Sequence, residues 1–562
     1  MPRSRCHPLL RTALLLLAGA CGGEGAPEAP TDGATGGTVV VAVPTEPLTL
    51  LPPLVTNIQE EMVTRLLFSR LAEIGASLET YGDRGFTPSA ARSWQWAPDS
   101  LSIAFTLDSA ARWHDGVPLT ARDVAFTFAA YTSAAVGAPQ ASQLRGIDSV
   151  TVRDARTAVF WFRARTPHQF FDATYPMQLL PAHRLAGLPL AQLARSPLAR
   201  TPLGSGPFRF VRWDAGARVE VVADTTHWQG RPPLDRVVFA VNPDPVAAVG
   251  RLLAGEVDVV DGLATEQLAR VAGAPTVRVA SVPSLQYGYL TLNWRDPQRP
   301  GRPHPLLADV RVRRALQRVV DRAALARNVF DSLAGVGVGP APSALLPAGM
   351  PDPVPPPSVA AANALLDSAG WTARTPDGTR LKDGRPLVLE VLVPAPSRSR
   401  QRYAVLLQGQ LAAAGIRLVP VVLEVSALVA RLEARRFDSF LGVNAADPGL
   451  LGLRQSWRSD GASNDGRYAS AAFDAQVDSA LGAFSPEAGR RHLAAAMTQA
   501  AADVPALWLY EPRTLLAVHR RLRTPSLPAT GWFVGLAGWS VDPATRLPRD
   551  RIGVAASAEA PR

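Results

Sequence analysis

The tripeptide Trp113-His114-Asp115, followed by Gly116 and Pro118, sets an imidazole beside a carboxylate. Such a pair could act as a general base and its orienting acid if a nucleophile faced it. The flanking residues suggest another role. Leu101, Ile103, Phe105 and Leu107 alternate along a half-buried strand. Thr120 then heads a run that puts Val124, Phe128 and Tyr131 on one helical face, with Asp123 in the capping-box position more often held by Glu or Gln. Residues 113–118 therefore read as a strand-turn-helix joint. Asp115 is expected to satisfy backbone donors in the turn and Trp113 to pack between strand and helix. His114 is expected to have no partner at ligand spacing.

No other constellation supplies the missing chemistry. Gly204-Ser205-Gly206 lacks the G-x-S-x-G spacing of a nucleophile elbow. No P-loop, H-E-x-x-H or C-x-x-C occurs, and the eight histidines are dispersed with no pair at ligand spacing on a helix face. Neither a metal nor a cofactor is expected. A triad assembled from distant residues keeps an exported hydrolase as an alternative, because chain order cannot exclude one.

The chain has 562 residues and a net charge of +10, nearly all of its basic charge being Arg. The arginines form no basic run and no aromatic-interleaved stripe, so nucleic acid is not an expected partner. Arg3, Arg5 and Arg11 precede the apolar segment 13–20, ALLLLAGA, which is far shorter than the ~20 residues that span a bilayer. It has the form of an export signal. Its end, LAGAC, resembles a bacterial lipobox, which implies cleavage before Cys21 and acylation of that residue. An ordinary signal with an incidental cysteine is the alternative. Cys6 would leave with the signal, so the exported chain is expected to hold together without disulfides. Residues 21–37, rich in Gly, Ala and Pro, read as a flexible tether.

The remainder reads as an α/β protein. TVVVAV (38–43) is a buried strand, 149–162 two strands about a polar turn near Asp154, and 206–224 a hairpin around Asp214-Ala215-Gly216. An amphipathic helix is expected over 308–330. The second half then alternates strand 386–394, helix 402–416, strand 417–425, helix 426–437 and strand 438–444. That order predicts a largely parallel sheet with crossover helices. A β-rich first half and an α/β second half, joined by the extended residues 276–294, predict two lobes and a hinged cleft, a preferred place for ligands. Tyr287, Tyr289 and Asn293 lie on that crossing, at alternate positions of one strand face. They could line the cleft or fill a half-buried sheet face.

Residues 86–128, FTPSAARSWQWAPDSLSIAFTLDSAARWHDGVPLTARDVAFTF, resemble the signature of extracytoplasmic solute-binding proteins of the oligopeptide/dipeptide/nickel class. GSGPFRFVRWDAG (204–216), HWQGRPPLDRVVF (227–239), LLAGEVDVV (252–260) and the blocks LTLNW and LADVRVRRALQRVVDRAAL within 290–325 continue the pattern in family order. The resemblance covers nearly all of residues 38–525. It implies a two-lobed periplasmic-binding-protein-like α/β fold of type II, with an extra inserted β-rich domain and a hinged ligand cleft. Lobe I would comprise 38–72, 202–278 and 510–550, the inserted domain 73–201, lobe II 279–509 and a tail 551–562, after a signal peptide (1–20) and tether (21–37).

The resemblance also implies a function. The chain would be the monomeric, lipid-anchored component of an ABC importer, facing the periplasm or cell exterior. It would capture di- or oligopeptides and deliver them to permease subunits. A nickel complex, a sugar or haem are alternative solutes, and a signalling receptor or chaperone an alternative use of the fold. Members often carry Trp-x-x-Asp in lobe II, whose Asp can pair with a peptide's α-ammonium. Here the stretch is Asn444-Ala445-Ala446-Asp447-Pro448. Asn444 stands in place of the tryptophan. Asp447 either keeps the carboxylate or matches a second family aspartate that precedes proline, and it could equally cap a turn before Pro448. Glu46 and Trp457 are further ligand contacts by family analogy.

Overall fold

The computed structural model of the protein describes residues 35–552, apart from 264, 332 and 348. The expected signal, Cys21, most of the tether and residues 553–562 of the tail lie outside the described residues.

The β-branched run Thr38–Val43 is buried at every position and pairs in parallel with Arg236–Val241 on one side and Val259–Asp261 on the other. A strand covered on both faces needs such a continuous apolar run. Its neighbours complete a seven-stranded sheet in the order Val277–Val282, Thr514–His519, Val259–Asp261, Thr38–Val43, Arg236–Val241, Arg218–Ala223, Phe208–Asp214. The last two form the expected hairpin, with Gly216 at φ +70°. Val40 and Ala42 face helices Pro245–Leu253 and Thr265–Ala272, whereas Val39, Val41 and Val43 face the core shared with the inserted region. Arg521, 2% exposed, donates to both oxygens of Asp258, to Asp550 and to the Thr38 carbonyl. It thereby ties the C-terminal residues to the central strand.

Between Leu67 and Phe208 the chain builds a four-stranded antiparallel sheet, ordered Ala91–Trp96, Ser102–Leu107, Thr157–Phe162, Ile147–Val152, beside helix Ala121–Thr132. Asp123 Oδ2 accepts from the Thr120 backbone N–H at 2.7 Å, the expected cap, and its Oδ1 accepts from Ala182 N at 2.8 Å. The 113–118 joint forms as expected, with Gly116 at φ +85° and Trp113 1% exposed. Asp115 accepts from Val117 N at 3.2 Å, but its side-chain partner is His183 at 2.9 Å, not His114. His114 has backbone partners instead. Its Nε2 donates to the Gly206 carbonyl at 2.9 Å while Nδ1 accepts from Gly204 N at 3.3 Å. Burial pushes its pKa down to about 4, so the imidazole is a neutral staple. Gly204 is obligatory there, since a Cβ would stand 1.8 Å from the Leu67 carbonyl.

A second, six-stranded sheet has the order Ala334–Gly335, Ala506–Pro512, Gln286–Leu292, Ser439–Ala445, Val388–Pro394, Arg417–Leu423. The expectation of a largely parallel sheet holds only for the last three strands, which helices Arg398–Ala412 and Val425–Glu433 connect. Gln286–Leu292 is antiparallel to both of its neighbours. One strand leaves the crossing and another returns to it, so these two must run in opposite directions. The single helix expected over 308–330 is two, Val310–Val319 and Arg322–Phe330, because Asp321 accepts from Ala324 N at 2.8 Å and caps a new start. One sheet face is covered by the helical hairpin Ala471–Gly482 and Pro486–Asp503, whose Met497 and Ala500 join the core around Trp508.

The two sheets share a ribbon. Val277–Val282 belongs to the first sheet and, three residues on, Gln286–Leu292 belongs to the second; Ala506–Pro512 and Thr514–His519 make the return with only Arg513 between them. The crossings thus fall at 283–285 and 513, a few residues beyond the limits at 278 and 509 expected from the sequence. They lie side by side. Ser284 Oγ donates to the Pro512 carbonyl at 2.7 Å, and the Arg513 guanidinium donates to Ser281 Oγ at 2.5 Å and to its carbonyl at 2.8 Å.

Candidate functional site

The parallel strands of the first sheet end at Val43, Val241 and Asp261, facing the crossing. Open α/β sheets bind ligands in the crevice outside such carboxyl ends. Here that crevice holds a cavity of about 500 Å³, lined by Val43, Asn242, Asp261 and Gln59 and by the crossing residues Ser284, Gln286 and Arg513. The volume lies in the small-ligand range of roughly 300–1,000 Å³. Burial raises the Asp261 pKa, while Trp532 Nε1 donates to its Oδ2 at 2.8 Å.

Four of the residues singled out in the sequence come together next to this crossing, in the core behind the cavity and not on its lining. Tyr287, adjoining Gln286, is 2% exposed and its hydroxyl accepts from Trp457 Nε1 at 2.8 Å and from Asn444 Nδ2 at 3.2 Å. Tyr289 donates its hydroxyl to Asn444 Oδ1 at 3.4 Å. Asn444 Nδ2 also donates to Ser456 Oγ at 3.2 Å, and the Trp457 ring stands edge-on to Trp508 at 4.7 Å. The pairing Tyr287↔Asn444 across antiparallel strands explains the meeting. Desolvation lifts the Tyr287 hydroxyl to about 12, so it stays protonated. Sequence reasoning missed Ser456 and Trp508 in this network.

The other three go elsewhere. Asn293 lies past the far end of its strand, where Nδ2 donates to the Phe437 carbonyl at 2.8 Å. Glu46 accepts from Gly216 N and Trp213 Nε1, both at 3.0 Å, which lowers its pKa and clamps the loop after the first strand to the hairpin. Asp447 caps helix Leu451–Trp457, Oδ2 accepting from Gly452 N at 2.8 Å and Oδ1 from Leu451 N at 3.3 Å.

Residues 79–81 meet the second sheet's layer near Asp447. Thr80 Oγ1 donates to the Pro448 carbonyl at 3.5 Å, Tyr81 donates its hydroxyl to the Ala480 carbonyl at 3.3 Å, and Glu79 pairs with Arg490 at 3.3 Å. Tyr81 fits only because residue 489 is Gly, where a Cβ would stand 2.1 Å from its oxygen. A second cavity of about 300 Å³ lies at this contact. Among the described residues no helix is long and apolar enough to cross a membrane.

Residues 85–463, more than half of the chain, match the family of bacterial extracellular solute-binding proteins, family 5 Middle. The chain belongs to that family. Its members are described as bacterial extracellular solute-binding proteins. A Brucella ovis protein provisionally named an ABC transporter peptide-binding protein is 29% identical over 340 residues, 59% of either chain. The oligopeptide-binding protein AppA of Bacillus subtilis is 27% identical over 355 residues, 62% of this chain and 63% of that one. The alignments thus span about three fifths of these relatives' length. The structure of AppA in complex with a nonapeptide superposes with a TM-score of 0.72 at 23% identity, covering 90% of this chain and 99% of that one. The same score, at 22% identity and the same coverage, holds for NikZ of Campylobacter jejuni in complex with Ni(L-His). The fold of these solute-binding proteins is therefore the fold described above.

Proposed function

We propose that this family 5 solute-binding protein captures peptides between its lobes and delivers them to the membrane subunits of an ABC transporter, held at the membrane by lipid on Cys21. The observation that carries the reading is the cleft itself: two sheets joined by one ribbon, with a cavity at the carboxyl ends of the parallel strands and beside the hinge. The names of the Brucella and Bacillus relatives support peptide as the solute. The Tyr287–Asn444–Trp457 network braces from within the strand that carries Gln286 to the first cavity, and Asp447 lines the second. Glu46 and Asn293 act through the loops they fix.

Native mass spectrometry of protein purified from its own host tests the reading. A bound mass that fragments as a peptide, and rebinds stoichiometrically to stripped protein without turnover, is expected. A non-peptide occupant, or product formation, overturns it. For the anchor, Cys21→Ala should move the protein from the membrane to the soluble fraction. Retention of the variant on the membrane removes that part.

A further inference from the structure

The cavity at the crossing has an apolar floor. Val43 and Leu515 come from strands of the first sheet, Leu263 follows strand Val259–Asp261, and Ala248 belongs to helix Pro245–Leu253. Helix Ile58–Leu67 adds Ile58 and Met62, one turn apart on the same helical face. Met62 is 2% exposed, whereas Ile58 is 45% exposed although it lines the cavity. An aliphatic side chain standing in water at such a wall is stabilised when an apolar group covers it.

The polar part of the lining is mostly neutral, with amides from Gln59, Asn242 and Gln286. Among the described lining residues two are charged, Asp261 and Arg513, and their charges are met differently. Asp261 accepts from Trp532 Nε1 at 2.8 Å and from the Gly262 N–H. Arg513 donates twice to Ser281, which fixes the guanidinium plane, and it pairs with no carboxylate among the described residues. The rest of its donor fork is left for a partner, and that fork matches a carboxylate. The unmet charge of the cavity is therefore positive, and it borders the apolar floor.

We propose that this cavity receives the C-terminal residue of the peptide, with the free carboxylate on Arg513 and an apolar side chain on the floor against Ile58. The inference rests on the peptide reading and deepens it by naming the chain end and the side-chain class held here. An N-terminal ammonium would find Asp261 already supplied with donors. An Asp or Glu side chain brings a carboxylate but no apolar group on the same residue. A C-terminal Leu, Ile or Phe brings both, joined through one Cα. A C-terminal Lys or Arg would set a second cation near Arg513 and press it against aliphatic carbon.

The test uses the full chain and two digests of apomyoglobin, chymotryptic with mainly Leu, Phe and Tyr ends and tryptic with Lys and Arg ends, each before and after methyl esterification. Retained peptides lacking Asp and Glu are scored by mass spectrometry, so esterification changes only their C-terminus. Wild type should retain the free chymotryptic peptides about tenfold better than their esters, and better than the tryptic peptides. Arg513→Gln should lose most of the preference for the free acid. That ratio separates recognition from a loosened crossing, which would weaken acid and ester alike. Ile58→Asp, at an exposed position, should shift retention towards the tryptic peptides. Equal retention of acid and ester or of the two digests by wild type, an undiminished acid preference in Arg513→Gln, or an unshifted retention in Ile58→Asp overturns the inference. Retention of neither digest refutes the peptide reading instead. The cavity is then judged with isocaproate and isocaproamide alone, at millimolar concentration. The acid should raise the thermal midpoint of wild type more than the amide does, and Arg513→Gln should respond to both alike. Equal responses in wild type, or an unchanged difference in the variant, overturn the site.

Discussion

Raising the pH of the ligand-free protein should weaken it through Asp172, and Asp172→Asn should remove that weakness. Burial and the negative charge of Asp447 raise the carboxyl from an ordinary 3.8 to about 7 in the closed arrangement. At about 1.36 kcal/mol per pH unit this corresponds to a ceiling of about 4 kcal/mol. The folded closed state holds a proton that the unfolded chain gives up near pH 4. Its stabilising share is therefore complete below that pH and is lost as pH climbs through 7. Opening the lobes would rehydrate the carboxylate at the expense of the Thr80, Tyr81 and Glu79–Arg490 contacts. The measured loss is the smaller of these two costs. Thermal midpoints of wild type and Asp172→Asn, taken from pH 4 to 8, give the assay. Groups common to both proteins, such as His114, cancel in the difference. That difference should be near zero at pH 4 and grow in favour of the variant towards pH 8. A constant difference would refute the reasoning, because it would mean that Asp172 titrates in the folded protein as it does in water.

Three further outcomes follow from the geometry. His114→Ala strands the Gly206 carbonyl and Gly204 N–H, so it should destabilise by about 1–3 kcal/mol in thermal unfolding while leaving ligand affinity nearly unchanged. In wild type, the pKa depressed to about 4 means that this residue's contribution is present above pH 6.5 and lost as pH falls towards 4, which the same unfolding series reads. Arg521→Met leaves Asp258 and Asp550 buried without their cation and should cost about 3–5 kcal/mol, with earlier proteolysis of the C-terminal segment as a second readout. Gly489→Ala forces Tyr81 off lobe II and should weaken ligand affinity in calorimetry, an effect that adding Tyr81→Ala should largely relieve.

The sequence made local structure legible and long-range partners not. The Thr38–Val43 strand, the Gly216 hairpin and the Thr120–Asp123 cap depend on residues a few positions apart, and each forms as its pattern implies. Period-two spacing put Tyr287 and Tyr289 on one face, and their rings do meet at 5.7 Å. That their hydroxyls turn inward to Trp457 and Asn444 depends on residues more than 150 positions away. Strand direction in the second sheet failed for the same reason: it follows from where the ribbon enters, not from local propensity. The break at Asp321 was readable as an N-cap, but the apolar period running through Val319 and Val320 masked it. Asp172 left one faint signal, a lone carboxylate after Phe170-Phe171 in a short buried helix, and only the facing lobe gives it meaning.

The ribbon through both sheets restricts more than it connects. A single covalent strand would let the lobes swivel about its bonds. Two strands fastened by Ser284 to Pro512 and by Arg513 to Ser281 resist that rotation and yield only to flexing across their common plane. If the proposed capture swings the two sheets together, that swing is thereby confined to one arc. Ligands of different shape would then bring the outer surfaces of the two halves to nearly the same mutual orientation. A membrane partner of the kind proposed, docking across both outer surfaces, would then register occupancy as an angle, without touching the cargo.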